Sequence, residues 1–112
     1  MAVEIGYVAL SVKDIARAKE FYGKLFGWDI AVTPMGGHVG NTKLPIGLTT
    51  GAAAHVPFIY FKVPDMEAAT KRITELGGRI SNRSTSQAGL IAECVDNQET
   101  IFSIWQPAPG FE

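Results

Sequence analysis

The chain has 112 residues, of which 46% are hydrophobic and 19% charged, and its net charge is −1. That mix fits one globular domain able to bury a core and excludes a disordered chain, while the near-neutral balance, with Lys and Arg spread along the chain, gives no electrostatic footprint for nucleic acid or a membrane surface. A lone cysteine, Cys94, excludes an internal disulfide and fits a reducing compartment; no apolar run approaches the ~20 residues of a membrane span, and the start MAVEIGYVALSV has Glu4 and no basic leader region, so a soluble cytoplasmic protein is expected.

In chain order, Val3–Val12 is β-rich and predicts a first strand. Asp14 then predicts a helix N-cap, apolar residues at Ile15, Ala18, Phe21, Tyr22 and Leu25 have helical spacing, and Gly27 supplies the stop. Shorter strands are predicted at Trp28–Thr33, weakly at His38–Asn41 after a turn through Gly36-Gly37, and at Lys43–Thr49. The small residues of Thr50–Ala54 read as a linker. The grammar then repeats. His55–Val63 is a strand, Asp65 a cap, Met66, Ala69, Ile73 and Leu76 a buried helical stripe, and Gly77-Gly78 a stop. Strands follow at Arg79–Asn82, Leu90–Val95 and Thr100–Trp105, with Ser81–Gly89 read as a solvated loop. Val12, Asp14, Ala18, Leu25 and Gly27 match Val63, Asp65, Ala69, Leu76 and Gly78, and Ile46-Gly47-Leu48 resembles Phe102-Ser103-Ile104. The chain is thus read as one α+β domain, residues 1–112, of two βαβββ modules, 1–49 and 55–112, joined by the linker 50–54. Neither half could bury its sheet alone.

Strand alternation assigns the faces. Val8, Leu10 and Val12, then Ile59, Phe61 and Val63, then Phe102 and Ile104, make the aliphatic faces that suit the helices. The opposite face carries Tyr7, Ser11, Phe58, Tyr60, Lys62, Ser103 and Trp105. Aromatic rings mixed with a few polar groups are the composition of a small-molecule cavity, and equally of a filled sheet interior or a subunit contact.

YVALSVKDIARAKEFYGKLFGW, with Val12, Asp14, Ala18, Phe21, Tyr22 and the closing Phe26-Gly27-Trp28, resembles the opening of the vicinal oxygen chelate superfamily, which includes glyoxalase I, bleomycin-resistance proteins and extradiol dioxygenases. VPFIYFKVPDMEAATKRITELGGRI is similar to the second half of its small members, and AECVDNQETIFSIWQP to their closing strand pair. The resemblance spans nearly the whole chain. It implies paired βαβββ modules whose strands curl into a cup with the helices outside, a homodimer, and a site inside each cup. It also implies a divalent metal held by one ligand from the first and one from the last strand of each module. Those places fall here on Tyr7, Gly47, Phe58 and Ser103. Phe58 and Gly47 have no ligand side chain, and none of the four is an ordinary ligand for zinc, nickel or iron. The usual metal site is therefore expected to be absent, with no cofactor in its place.

His38, His55 and Cys94 lie on separate segments without ligand spacing, and Cys94 reads as a small buried thiol. Lys62, Tyr60 and Glu93, if it points inward, are the groups able to serve acid–base chemistry, although a strand-end lysine commonly snorkels to solvent. Ser11 and Ser103 lack a paired histidine, and Gly36–Gly40 does not follow a strand and open a helix as a phosphate loop would. Trp28 reads as structural packing; Trp105 shares the parity of Ser103 and could stack on a ligand. Three readings remain open. One is a metal-independent binder of a small, partly apolar or aromatic molecule. The second is a lyase- or isomerase-type enzyme with an atypical metal or none. The third is a structural or interaction dimer.

Overall fold

The computed structural model describes residues 2–34, 36–50 and 58–111. Their elements run β1 (Ile5–Ser11), α1 (Ile15–Phe26), β2 (Ile30–Thr33), β3 (Gly36–Val39), β4 (Ile46–Thr49), β5 (Phe58–Lys62), α2 (Met66–Glu75), β6 (Arg79–Ser86), β7 (Gly89–Val95) and β8 (Ile101–Pro107). The βαβββ pattern thus occurs twice, in the α+β class expected. His55 and the linker beyond Thr50 lie outside the described residues. By packing, the chain divides into Tyr7–Ile59 and a second unit made of Gly6 and the residues before it together with Tyr60 onward.

In the first unit the strand order is β2-β3-β4-β1, with β4 parallel to β1 and antiparallel to β3. Asp14 caps α1 by accepting the Arg17 N–H at 3.0 Å, and Gly27 closes it in left-handed backbone, φ 70. Asn41 then binds both sides of the helix exit: its amide donates to the Gly27 carbonyl and its oxygen accepts the Asp29 N–H, each at 2.9 Å. Ala18, Ile30, Val39 and Leu48 are buried, and Leu10, Val12, Ile15, Tyr22, Trp28 and Ile46 pack around them. The aliphatic side of β1 faces α1, as alternation predicts. Trp28 stacks on Tyr22 at 5.5 Å between ring centroids, the structural role expected of it.

The predicted apolar stripe of α1 is only partly a core stripe. Ile15, Ala18 and Tyr22 pack inward, whereas Phe21 is 60% and Leu25 59% exposed. The i, i+3, i+7 row meets the sheet, and Arg17, Phe21 and Leu25 form the neighbouring row, which turns to solvent.

In the second unit the order is β5-β8-β7-β6, with β5 parallel to β8 and the other pairs antiparallel. Asp65 caps α2 by accepting the N–H groups of Glu67 at 3.0 Å and Ala68 at 3.2 Å, and Gln106 Oε1 accepts the Met66 N–H at 2.6 Å. That last bond ties the helix start to the end of β8, the strand beneath it. Met66, Ala92, Cys94, Val63 and Ile104 form the core, with Phe61, Ala69, Ile73, Ile80, Leu90 and Phe102 against it. Leu76, predicted to close the buried stripe, is the helix C-cap and 60% exposed.

The strand predicted at Arg79–Asn82 is longer than expected, and residues 83–86, read from sequence only as loop, are part of it. β6 runs eight residues and pairs with β7 from Arg79↔Val95 to Ser86↔Gly89, with a bulge between Ile80 and Asn82. β6 ends the order β5-β8-β7-β6, so most of its side chains meet water and the run Ser81–Ser86 carries no apolar alternation to betray it. The turn from Asp96 to Thr100 closes without glycine. Asp96 Oδ1 accepts the N–H groups of Gln98 at 2.7 Å and Thr100 at 2.9 Å, and Glu99 takes the left-handed backbone at φ 69.

Candidate functional site

In the first unit, β1 turns Leu10 and Val12 toward α1, so Tyr7, Ala9 and Ser11 lie on the opposite face. Gly47 pairs with Ala9 on one side and with His38 on the other, which places His38 on that same face. Gly47 is buried, and the Tyr7 hydroxyl lies against it where a side chain at Gly47 would begin; the Tyr7 Cζ is 2.9 Å from that point. The two places at which the resemblance puts metal ligands in this module are thus packed on each other, aromatic hydroxyl against bare backbone. Ser11 Oγ is buried with no hydrogen-bond partner among the described residues. Tyr7 and Ser11 themselves are half-buried.

In the second unit the face away from α2 is built of cross-strand rows. Tyr60 pairs with Ser103 and Ser103 with Glu93, so a phenol, an alcohol and a carboxylate stand side by side on β5, β8 and β7. The next row sets Lys62 beside Trp105 and Trp105 beside Ile91. Trp105 is 6% exposed; its indole N–H donates to the Ala88 carbonyl at 2.9 Å, and its ring lies 3.1 Å from where a side chain at Gly6 would project. It is a wall of this face, held at one edge, and Lys62 beside it is exposed. Phe58, which belongs to the first unit, is half-buried.

Glu93 does point to this face, which its register with Ser103 establishes. Its carboxylate Oε1 lies 3.1 Å from Ser81 Oγ, which also lies 3.0 Å from the Glu93 carbonyl, so one hydroxyl proton serves two acceptors. Burial, and after it the Glu93 charge, raises the Tyr60 hydroxyl above its ordinary pKa, keeping it a neutral donor. Glu93→Gln removes the second cause and is expected to move the Tyr60 titration down toward the ordinary phenol value while leaving the burial part. An alkaline ultraviolet difference titration, with Tyr60→Phe identifying the transition, checks this.

The remaining groups fall elsewhere. Cys94 is fully buried on the α2 side, its thiol pushed up by burial first and the Glu93 charge second, and is the small core residue expected. Arg79 holds Glu99 through two bonds of 3.1 and 2.7 Å, and Arg83 holds Glu67 at 2.7 Å, so both are committed to ion pairs. No group of three or more His, Cys, Asp or Glu side chains converges among the described residues.

The profile of the Glyoxalase/Bleomycin resistance protein/Dioxygenase superfamily matches residues 4–89. The chain belongs to that superfamily. A curated member similar to it is the anthracycline biosynthesis protein DnrV of Streptomyces peucetius, 28% identical over 118 residues; the match covers 96% of this chain and 42% of that protein, so the chain spans less than half of its relative. Among solved structures of this superfamily's fold, methylmalonyl-CoA epimerase from Mycobacterium tuberculosis has a TM-score of 0.74 at 17% identity, over 94% of this chain and 88% of that one. The hypothetical protein BH1468 of Bacillus halodurans C-125 gives 0.76 at 12% identity, over 100% and 99%. Homoprotocatechuate 2,3-dioxygenase from Brevibacterium fuscum gives 0.71 at 18% identity, over 95% of this chain and 37% of that one. At such identities the likeness is one of fold. The glyoxalase-type fold expected from the sequence is thus the fold of this chain. No helix among the described residues is long and apolar enough to cross a membrane.

Proposed function

We propose that this glyoxalase-superfamily chain binds a small, partly apolar or aromatic molecule on the strand faces opposite its helices, and does so without the divalent metal its relatives commonly use. The observation that carries the metal half of this reading is the Tyr7–Gly47 contact. A glutamate at Gly47 would have to start inside the space the Tyr7 hydroxyl fills. Phe58 offers no donor, and Ser103 offers an alcohol, a weak ligand for zinc, nickel or iron. The residues present do not fit the metal, so no chemical step is assigned to one. Tyr7, Ser11, Phe58, Tyr60, Lys62, Ser103 and Trp105 are the proposed ligand-contacting residues, aromatic surface for rings and a few hydroxyls for orientation. The Ser11 hydroxyl, unpartnered among the described residues, supports a polar contact with a ligand. The DnrV likeness, to a protein named for anthracycline biosynthesis, supports a fused aromatic ligand.

Native mass spectrometry of the purified protein, repeated after incubation with zinc, nickel, cobalt and ferrous iron, tests this reading and counts chains in the same spectrum. The expected result is a homodimer that takes up no stoichiometric metal and exchanges its bound small molecules on dilution. One metal per chain that survives dilution overturns it.

A further inference from the structure

Glu93 sits on the proposed binding face, yet the ligand positions that the superfamily resemblance supplies do not include it. Its carboxylate is held from β6 by the Ser81 hydroxyl, which reaches only Oε1. Ion pairs elsewhere commit Glu20 to Lys24, Glu67 to Arg83, Glu75 to Arg72 and Glu99 to Arg79. Glu93 is in none of the ion pairs among the described residues. The two arginines of its neighbouring strand, Arg79 and Arg83, are turned to other carboxylates. The result is an anion in a hydroxyl-lined row, Tyr60–Ser103–Glu93, beside the aromatic wall of Trp105, with no cation among the described residues ion-paired to it.

We infer that Glu93 is the polar anchor of the binding face and selects ligands that carry a protonated amine next to an aromatic ring. The inference rests on the small-molecule reading above and sharpens it. An anchored carboxylate gains most from a charged donor, because charge-assisted hydrogen bonds are about twice as strong as neutral ones. Tyr60 and Ser103 add hydroxyls that accept or donate beside it, and the ring edges give the apolar part somewhere to lie. Ser81 acts as a positioning residue, fixing the carboxylate rotamer without touching the ligand.

The test uses three probes of one shape, 2-naphthylmethylamine, 2-naphthylmethanol and 2-naphthoate, against the ¹⁵N-labelled full chain. Amide shifts of Tyr60, Ser103 and Glu93 locate binding and give each affinity. The amine is expected to bind about tenfold or more tighter than the alcohol, and Glu93→Gln to abolish that advantage. Ser81→Ala is expected to reduce the advantage in part. Equal affinity of amine and alcohol, or an advantage that survives Glu93→Gln, overturns the Glu93 inference alone. If none of the probes moves these amides at millimolar concentration, the binding face itself is refuted and the inference with it. The folded spectrum of Glu93→Gln, an exposed and isosteric change, separates either result from unfolding.

Discussion

Gly47→Glu, which puts a carboxylate at the metal-ligand place in the last strand of the first module, is expected to lower stability by about 2 kcal/mol instead of creating half a metal site. The reason is geometric. The first atom of any side chain at Gly47 falls on the Tyr7 hydroxyl, and the carbonyl of Gly37 in β3 closes the other side at 3.4 Å. Tyr7 can yield because its contact is the far end of a half-buried ring, so the penalty is a displaced tyrosine and not a broken sheet. That makes the effect conditional on Tyr7. Gly47→Ala measured by urea unfolding in the native background and in Tyr7→Phe, which lacks the hydroxyl, should differ by about 1 kcal/mol, with the smaller penalty in Tyr7→Phe. Simple additivity would mean that the two positions do not touch. The pair Tyr7→His with Gly47→Glu is expected to recover most of the stability lost by Gly47→Glu alone, since histidine has no atom at the hydroxyl position. Whether that pair then takes up metal is a separate reading, visible in the same native spectra.

The same contact explains how much of the site the sequence displays. Tyr7 and Gly47 each read as a missing ligand when taken singly. That they are one packed pair depends on β1 and β4 running parallel with Val8 beside Ile46, a register no local pattern encodes. Glu93 shows the same limit. Its parity within β7 offers two faces, and only pairing with Ser103 chooses between them. Local rules do carry the rest. Asp14 and Asp65 cap their helices because short carboxylates reach free N–H groups, and the β1 and β8 alternation sorts core from opposite face, because both depend on neighbours a few residues away. Local rules fail for β6. A strand at the end of its unit's order is wetted on most of its surface and loses the apolar alternation that marks buried strands, so Ser, Thr and Asn there carry loop composition on a paired backbone. In α1, the helical period identifies the apolar rows but not which of two adjacent rows meets the sheet, and so Phe21 and Leu25 are found in solvent.

Gly89→Ala is expected to be the most damaging small substitution, costing about 3 kcal/mol or more. Gly89 opens β7 at φ 134, a backbone setting that side chains avoid, and a Cβ there would meet the Gln106 carbonyl oxygen, the Ala108 nitrogen at 2.7 Å and the Pro107 carbonyl carbon at 3.0 Å. All three are main-chain atoms of the β8 end, with no rotamer to change, so relief requires β7 and β8 to part. Gly27→Ala separates the two causes. Gly27 has φ 70 and nothing within 4 Å, so it carries the backbone penalty alone, about 1 kcal/mol. The difference between the two variants in urea unfolding measures the close approach of β7 to β8. It also reports on the binding face, because the residue before Gly89 is Ala88, whose carbonyl accepts the Trp105 indole N–H and the Ala108 N–H, the latter at 2.8 Å. Parting the strands withdraws that acceptor from a buried ring, so Gly89→Ala should red-shift Trp105 emission in the folded state, with Trp28→Phe as the background that isolates it. Native-like emission together with a small stability loss would mean that the turn accommodates a side chain and that Trp105 is not held from Ala88. A red shift with intact secondary structure would show one glycine setting the position of the aromatic wall beside Glu93.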